Sequence, residues 1–310
     1  MTVETPPLPM DPVLERRALV QASARQSLAR RTFISRLMLG VCMFALVLAS
    51  SILVWIMYLL VSKGLHWWSV DFFTQVPTTP TVLHPNAVGG ISNAIVGSIV
   101  IDAFAIAMSV PIGVLGGLLL AEADNLFLRI VRTTSEVMTG LPSIIFGLFV
   151  YEILIIKYKI GFSGIAGSVA LCILMIPIIM KGSEIAFRAV PSSLREAGYS
   201  LGMSKGSVAR HVVTPTATPG LLTAILLATS RAVGETAPLL FVIGNTYIVQ
   251  WNATKEQISL PQQIYTFFLD GYSPAQEQIV WGIALLLVVV VLFLNMGSRL
   301  LSAFLQRERH

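Results

Sequence analysis

Six stretches of this chain are apolar for as long as a bilayer is thick: roughly 37–61, 91–120, 137–156, 164–180, 219–244 and 279–303. A helix of about 20 such residues spans the hydrocarbon layer, and a helix satisfies its own backbone hydrogen bonds where no water can. The rest of the composition agrees. Of 310 residues, 55% are hydrophobic and only 12% charged, with a mean hydropathy of +0.78. A soluble domain carries about 25% charged residues. Here too few polar side chains exist to cover a water-facing surface. The expected fold class is therefore all-α, a polytopic membrane protein with six transmembrane helices. The second run carries Pro111, Gly113, Gly116 and Gly117 and is predicted to kink or tilt.

Charge placement orients the bundle, because loops rich in Lys and Arg stay in the cytosol. Sixteen of the 21 basic residues fall on one side. They comprise six arginines between Arg16 and Arg36, Arg129 and Arg132, five between Lys181 and Arg210, and three from Arg299 onward. The other side holds only Lys63, Lys157, Lys159 and Lys255. Both termini and the 181–218 loop are thus expected in the cytoplasm, as an even number of spans requires. The same distribution explains the net charge of +5 without nucleic acid. Residues 1–35 are polar, Pro-rich and then Arg-rich, and the run after them is too long for a signal peptide. They read as a cytosolic tail, partly disordered over the first dozen residues. Trp67, Trp68 and Phe72 in one outer loop, and Tyr247, Trp251 and Tyr265 in another, fit an interfacial aromatic belt; docking of an external partner is the alternative. Cys42 and Cys172 lie in apolar runs as small fillers, and the four histidines lack metal-ligand spacing. No inverted repeat of the kind common in secondary transporters is visible.

The loop at 191–215 carries the strongest local signal. Ser193 followed by Glu196 has the form of a capping box, so a helix is expected to start there. Gly202 suits the left-handed residue that ends it. Ser204 suits the cap of a second short helix, which Pro215 follows. Ala197 and Gly198 leave a face almost bare, open to close approach by another protein. Glu196, Ala197, Gly202 and Pro215 stand at the spacings of the EAA loop, which this stretch resembles; that loop belongs to ABC importer permeases. Gly198 replaces the second Ala, Val212 the Ile, and Thr214 the Leu of that pattern. The resemblance implies the type I ABC importer permease fold and a docking element for a cytosolic ATPase, formed by Glu196, Ala197, Gly198, Leu201, Gly202 and Pro215. The chain has no G-x-x-x-x-G-K-[ST] loop, so ATP hydrolysis by that route belongs to a partner.

Span five holds Arg231 about 12 residues in, hence near the bilayer midplane, with Glu235 one helical turn further on. A charge at that depth costs about 2.5–3.5 kcal/mol on insertion scales. Two readings fit: a translocation site for an oxyanion, gripped by the planar guanidinium fork, or a self-neutralising structural pair. On the first, Glu235 accepts the proton of hydrogen phosphate and so favours it over sulfate. Asp102 stands alone in span two and suits a polar interface or a pathway role equally. Glu136 reads as a cap-region acid, and Glu184 with Arg188 as a solvated surface pair.

Arg231 with 234–240 (Gly-Glu-Thr-Ala-Pro-Leu-Leu), 141–148 (Leu-Pro-Ser-Ile-Ile-Phe-Gly-Leu), 176–180 and 188–191 are similar to the phosphate permeases of the Pst system, PstA-type subunits. The similarity is noted from about Gly89 to the last span. It implies uptake of inorganic phosphate across the bacterial inner membrane and favours the pathway reading of Arg231 and Glu235; Asp102 is grouped with them as a pathway candidate, its interface role remaining open. It further implies a PstC-type second permease, a PstB-type ATPase dimer that binds ATP and Mg, and a PstS-type binding protein. No cofactor is expected on this chain itself. The expected segments are a tail at 1–36, a first helix and outer loop at 37–88, the transmembrane domain at 89–303, and a cytosolic end at 304–310.

Overall fold

The computed structural model describes residues 12–78, 89–269 and 274–307, with side chains from residue 31 onward in the first stretch. The chain divides into two compact units at Leu59/Leu60. The first is a single rod, part of helix α1 (Pro12–Gly64). At 53 residues it is about 80 Å long at 1.5 Å per residue. No break separates the expected tail from the first span, and from residue 12 the tail is helical; the stretch expected to be disordered lies, but for Pro12, outside the described residues. Cys42 is exposed on this rod, whereas Cys172 is buried as expected.

The second unit is built around α6 (Gly164–Arg188). Ser163 caps it, its hydroxyl accepting from the Ala166 N–H at 3.3 Å. Parallel to it runs α3 (Ser92–Glu122), the most extensive helix–helix contact of the unit. In lipid, apolar side chains gain little by meeting one another, so helices associate where small residues let their backbones close up. Gly113 and Gly117, one turn apart, provide that surface. A Cβ at Gly113 would lie 2.7 Å from Ile179 Cβ; one at Gly117 would lie 2.5 Å from Ser183 Cβ and 2.7 Å from the Met180 carbonyl oxygen. Ser168 donates to the Ile101 carbonyl at 2.9 Å and fixes the same parallel register nearer the N-termini. Pro111 and Pro177 both stand inside these helices, which continue past them.

Helix α9 (Thr214–Val233) packs antiparallel on a second, neighbouring face of α6. Gly182 opposes Ala224 and Gly220 opposes Ala186, with would-be Cβ contacts of 2.5 and 2.7 Å. The hydroxyls of Thr216, Thr218, Thr223, Thr229 and Ser230 each donate to the carbonyl four residues back, so none is left bare in the apolar layer. Helix α11 (Pro274–Arg307) packs on α9, and α10 (Leu260–Leu269) on α11. The segment expected as a loop at 246–278 therefore contains a helix. Phe72, expected in an aromatic belt, is instead buried in the cluster of Ile91, Ile258, Phe267 and Ile279.

Among the described residues five helices are long and apolar enough to cross a membrane, and a bent pair makes a sixth. That pair is the expected third span. Helix α4 (Leu126–Gly140) and the helix starting at Ser143 meet at 105° across Leu141 and Pro142. Proline disfavours the helical conformation in the residue before it, which breaks the rod there. The second limb is α5 (Ser143–Val150), widening into a π-helical stretch at Tyr151–Lys157. The apolar run at 137–156 is thus not one straight helix.

Gly117→Ala should lower the stability of the purified protein by about 1–3 kcal/mol, because the new methyl meets backbone that cannot yield. Gly140→Ala, with nothing within 4 Å, should leave it nearly unchanged. Thermal denaturation midpoints in one detergent compare the two; equal midpoints would contradict the packing described.

Candidate functional site: a mid-span arginine on the arm of a helical hairpin

The antiparallel register of α9 on α6 brings Arg231 level with Met175, the twelfth of the 25 residues of α6. Arg231 therefore lies halfway along a neighbouring span, as its sequence position suggests. The helix itself differs from expectation. It ends at Gly234, where the N–H groups of Gly234 and Glu235 turn back to Arg231 and Ala232 carbonyls at 3.2 and 3.0 Å. The crossing predicted as a helix over 219–244 is finished by turns. Leu239, Val242 and Ile243 drop into the core formed with Ile101, Phe146, Leu171 and Met175. The Val242 carbonyl then accepts from the N–H of Ser163, at the start of α6. Irregular backbone at such depth persists only where protein buries it or water lines it.

Glu235 consequently sits beyond the helix end rather than on its face. The pair still forms: Arg231 Nε donates to Glu235 Oε1 at 3.4 Å. The side chains are 49% and 18% exposed. That contact uses only Nε. Among the described residues neither terminal amino group of Arg231 has an acceptor, so the flat edge that binds an oxyanion is open. Against this corner packs α5: a Cβ at Gly147 would lie 2.4 Å from the Pro238 carbonyl oxygen. Two sequence stretches nearly a hundred residues apart, 141–148 and 234–240, thus meet beside Arg231. Asp102 does not join them. Among the described residues it has no ion pair, and the α3–α6 register sets it level with Ser168, about 10 Å from the level of Arg231.

The 191–215 loop folds as a helical hairpin. Helix α7 (Ser192–Ser200) has Pro191 in its cap position, two residues earlier than the expected Ser193 cap and with no side-chain cap, so the capping box does not form. Gly202 does end the arm in the left-handed region, at φ +77°, with no atom near its would-be Cβ. Ser204 caps α8 (Lys205–Val208), its hydroxyl accepting from the Ser207 N–H at 3.3 Å. Gly198 is buried: a Cβ there would lie 2.9 Å from Val208 Cγ2. Its missing side chain lets the two arms of the hairpin close, and does not face outward as expected. Glu196, Ala197 and Leu201 are exposed, Leu201 by 82%.

Pro215 is not a stop. It stands in the first turn of α9, where its absent N–H costs nothing. Ahead of it the chain widens into a π-helical turn, Ala209–Val213, which contains His211. The carbonyl four residues before a proline is the one its ring strikes, and here that carbonyl belongs to the widened turn. As a result Lys205–Val233 is one rod of 29 residues that carries the hairpin at one end and Arg231 near the other.

Ion pairs tie this hairpin to the bundle, and sequence reading missed them. Arg195 pairs with Glu122 of α3 and donates to the Phe187 carbonyl of α6 at 2.7 Å. Glu184, expected on the surface with Arg188, has a side chain only 12% exposed. Arg132 and Arg188 both grip it at 2.9 Å, and both donate to the Leu120 carbonyl at 3.1 and 3.0 Å. Glu136, expected as a cap-region acid, instead lies within α4 and meets Lys181 at 3.0 Å. The only hint in the sequence is an acid one turn before a basic residue, which many solvated pairs share.

Residues 109–309 match the family described as binding-protein-dependent transport system inner membrane component. The phosphate transport system permease protein PstA of Haemophilus influenzae is 37% identical over 86% of this chain and 93% of its own length. That of Yersinia pestis is 34% identical over 92% and 96%. These matches reach well beyond the part of the chain in which the similarity is noted from sequence. Among solved structures, the inward-facing MetNI methionine ABC transporter shares the fold, with a TM-score of 0.54 and 21% identity over 70% of this chain and 94% of that one. The chain belongs to the binding-protein-dependent transport inner membrane components, and within them to the PstA-type permeases.

Proposed function

We propose that this chain forms one half of an ATP-driven import pathway for inorganic phosphate, with Arg231 as its anion contact and the 191–215 hairpin as its drive point. The observation that carries the reading is the half-exposed guanidinium at mid-span, its two terminal amino groups unpaired among the described residues. The PstA relatives, named for phosphate transport, supply the substrate class. A tetrahedral oxyanion takes two parallel N–H···O bonds from the open edge of Arg231, while Glu235, held on Nε, accepts the proton that hydrogen phosphate carries and sulfate lacks. Asp102, nearer the far end of the bundle, lines the approach.

Covalent chemistry happens elsewhere. A separate ATPase dimer of the PstB type holds ATP and Mg and receives Glu196, Ala197, Leu201 and Gly202 in a cleft. Gly198 shapes the hairpin from within, and Pro215 joins it to the span. Movement of that cleft acts on the rod Lys205–Val233, and through Arg195 on α3 and α6. A PstC-type permease covers the exposed face of Arg231, and a PstS-type protein delivers phosphate from outside. Both termini and the hairpin face the cytoplasm, as the basic residues require.

Arg231→Gln, in the assembled transporter reconstituted in vesicles, should cut labelled phosphate uptake about 10- to 100-fold, the worth of a lost charge-assisted bond pair. Complex assembly should be unchanged. Uptake at the wild-type rate, or an equal preference for sulfate, molybdate or phosphonate in the unaltered protein, would refute the assignment.

Leu201→Asp places a charge at the centre of the proposed docking face and should weaken ATPase association about 30-fold or more. Binding of the purified ATPase to the permease in detergent measures this; undiminished affinity would move the contact elsewhere.

A further inference from the structure

The end of the second unit away from the coupling hairpin holds two adjoining cavities that the transport reading leaves unused. One, of about 370 Å³, is polar: Ser62, Lys63, His66 and Gln278 line it with Trp67 and Trp281. The other, of about 360 Å³, is mainly apolar, with Leu60, Phe268, Val280 and Ala284 in its wall. They share Gln278 and Trp281, so they lie side by side, a cationic half against a greasy half.

The walls are fixed by backbone contact. A Cβ at Gly64 would lie 2.7 Å from the Trp281 carbonyl oxygen, so the end of α1 and the start of α11 touch directly. Trp68 Nε1 donates to the Gly282 carbonyl at 3.2 Å and holds the same corner. Lys63 Nζ stands 4.7 Å above the Trp281 ring. Among the described residues it has no carboxylate partner, so its charge is available to a ligand. One acid, Glu277, lines the apolar half next to Gln278.

We propose that this paired cavity binds one phospholipid with an amine-bearing headgroup, of the phosphatidylethanolamine class. The phosphodiester lies on Lys63, with Ser62 and His66 beside it. The headgroup ammonium meets Glu277, and an acyl chain runs along Leu60, Val280, Ala284 and Phe268. Charge complementarity selects this occupant. A free phosphate ion leaves the apolar half empty and Glu277 opposed, and an apolar helix of another protein leaves Lys63 unpaired. Lysine and tryptophan at the end of a span also mark the depth at which headgroups lie. The site does not depend on what the transporter carries.

The assembled transporter, extracted in mild detergent, tests this by native mass spectrometry of retained lipid. One phosphatidylethanolamine per copy of this chain is expected. Lys63→Glu and Ala284→Trp, which invert the cationic half and fill the apolar half, should each lower that retention at least tenfold while the complex stays assembled. In the unaltered protein, stripped of its lipid beforehand, phosphatidylethanolamine vesicles should slow modification of Lys63 by an amine-reactive reagent at least fivefold. Inorganic phosphate, tail-free glycerophosphoethanolamine, diacylglycerol and phosphatidylglycerol vesicles should not. Equal protection by any of these four overturns the proposal. So does unchanged lipid retention in both variants, or crosslinking of the cavity to another subunit in place of lipid.

Discussion

Close contact through glycines at two faces of α6 is the constraint from which the rest of the molecule follows. Gly113 and Gly117 of α3 press one face; Gly182 of α6 itself and Gly220 of α9 allow the contact on the other. A lipid-facing protein cannot rely on expelling water to join its helices, so shape must hold them. Shape of this kind is specific. A slide of α9 by one residue would put side chains where only hydrogen atoms fit. The depth of Arg231 is therefore set by contacts near Ala224 and Ala186, at least a full turn away from the charge itself.

That same register gives the coupling hairpin a mechanical connection. Had Pro215 ended a helix, the hairpin would hang from the bundle by a flexible joint. It lies instead in the first turn of α9, and the π-helical turn before it absorbs the ring without a break. One continuous helix, Lys205–Val233, thus joins the hairpin to Arg231, the path that docking at Leu201 would use under the proposed function. The guanidinium of Arg195 adds a second route, to α3 through Glu122 and to α6 through the Phe187 carbonyl. Glu184, shared by Arg132 and Arg188, ties the ends of α3, α4 and α6 together behind it. The hairpin acts on a braced frame rather than on a single lever.

How much of this was legible in the sequence depends on the range of the interaction. Apolar length revealed the spans, because it reflects a demand each segment meets alone. Gly202 and Ser204 revealed the hairpin, because caps and left-handed turns are settled within a few residues. The unwinding at Gly234 was hidden: Leu239, Leu240, Phe241, Val242 and Ile243 are as apolar as any helix, and only their burial against α3 and α6 permits turns at that depth. The break at Pro142 was overridden by the length of the run around it. Gly198 was assigned outward because its neighbour Val208 lies across the hairpin, invisible to local reading. The grip of Arg132 on Glu184 joins residues 52 apart and left no pattern at all.

What the fold leaves unfinished points to its use. Arg231 is half exposed at the depth where an uncompensated charge costs about 2.5–3.5 kcal/mol. Glu235 answers only part of that cost, since it holds Nε at 3.4 Å and leaves the terminal amino groups bare. A purely structural ion pair would do the reverse. It would bury both partners and close the fork on the carboxylate, because each donor left bare in an apolar layer adds to the cost of the charge. An open fork at the tip of an unwound helix therefore requires something further to face it: water, a second subunit, or an anion in passage. A bilayer supplies none of these, whereas the proposed pathway with a second permease would supply all three.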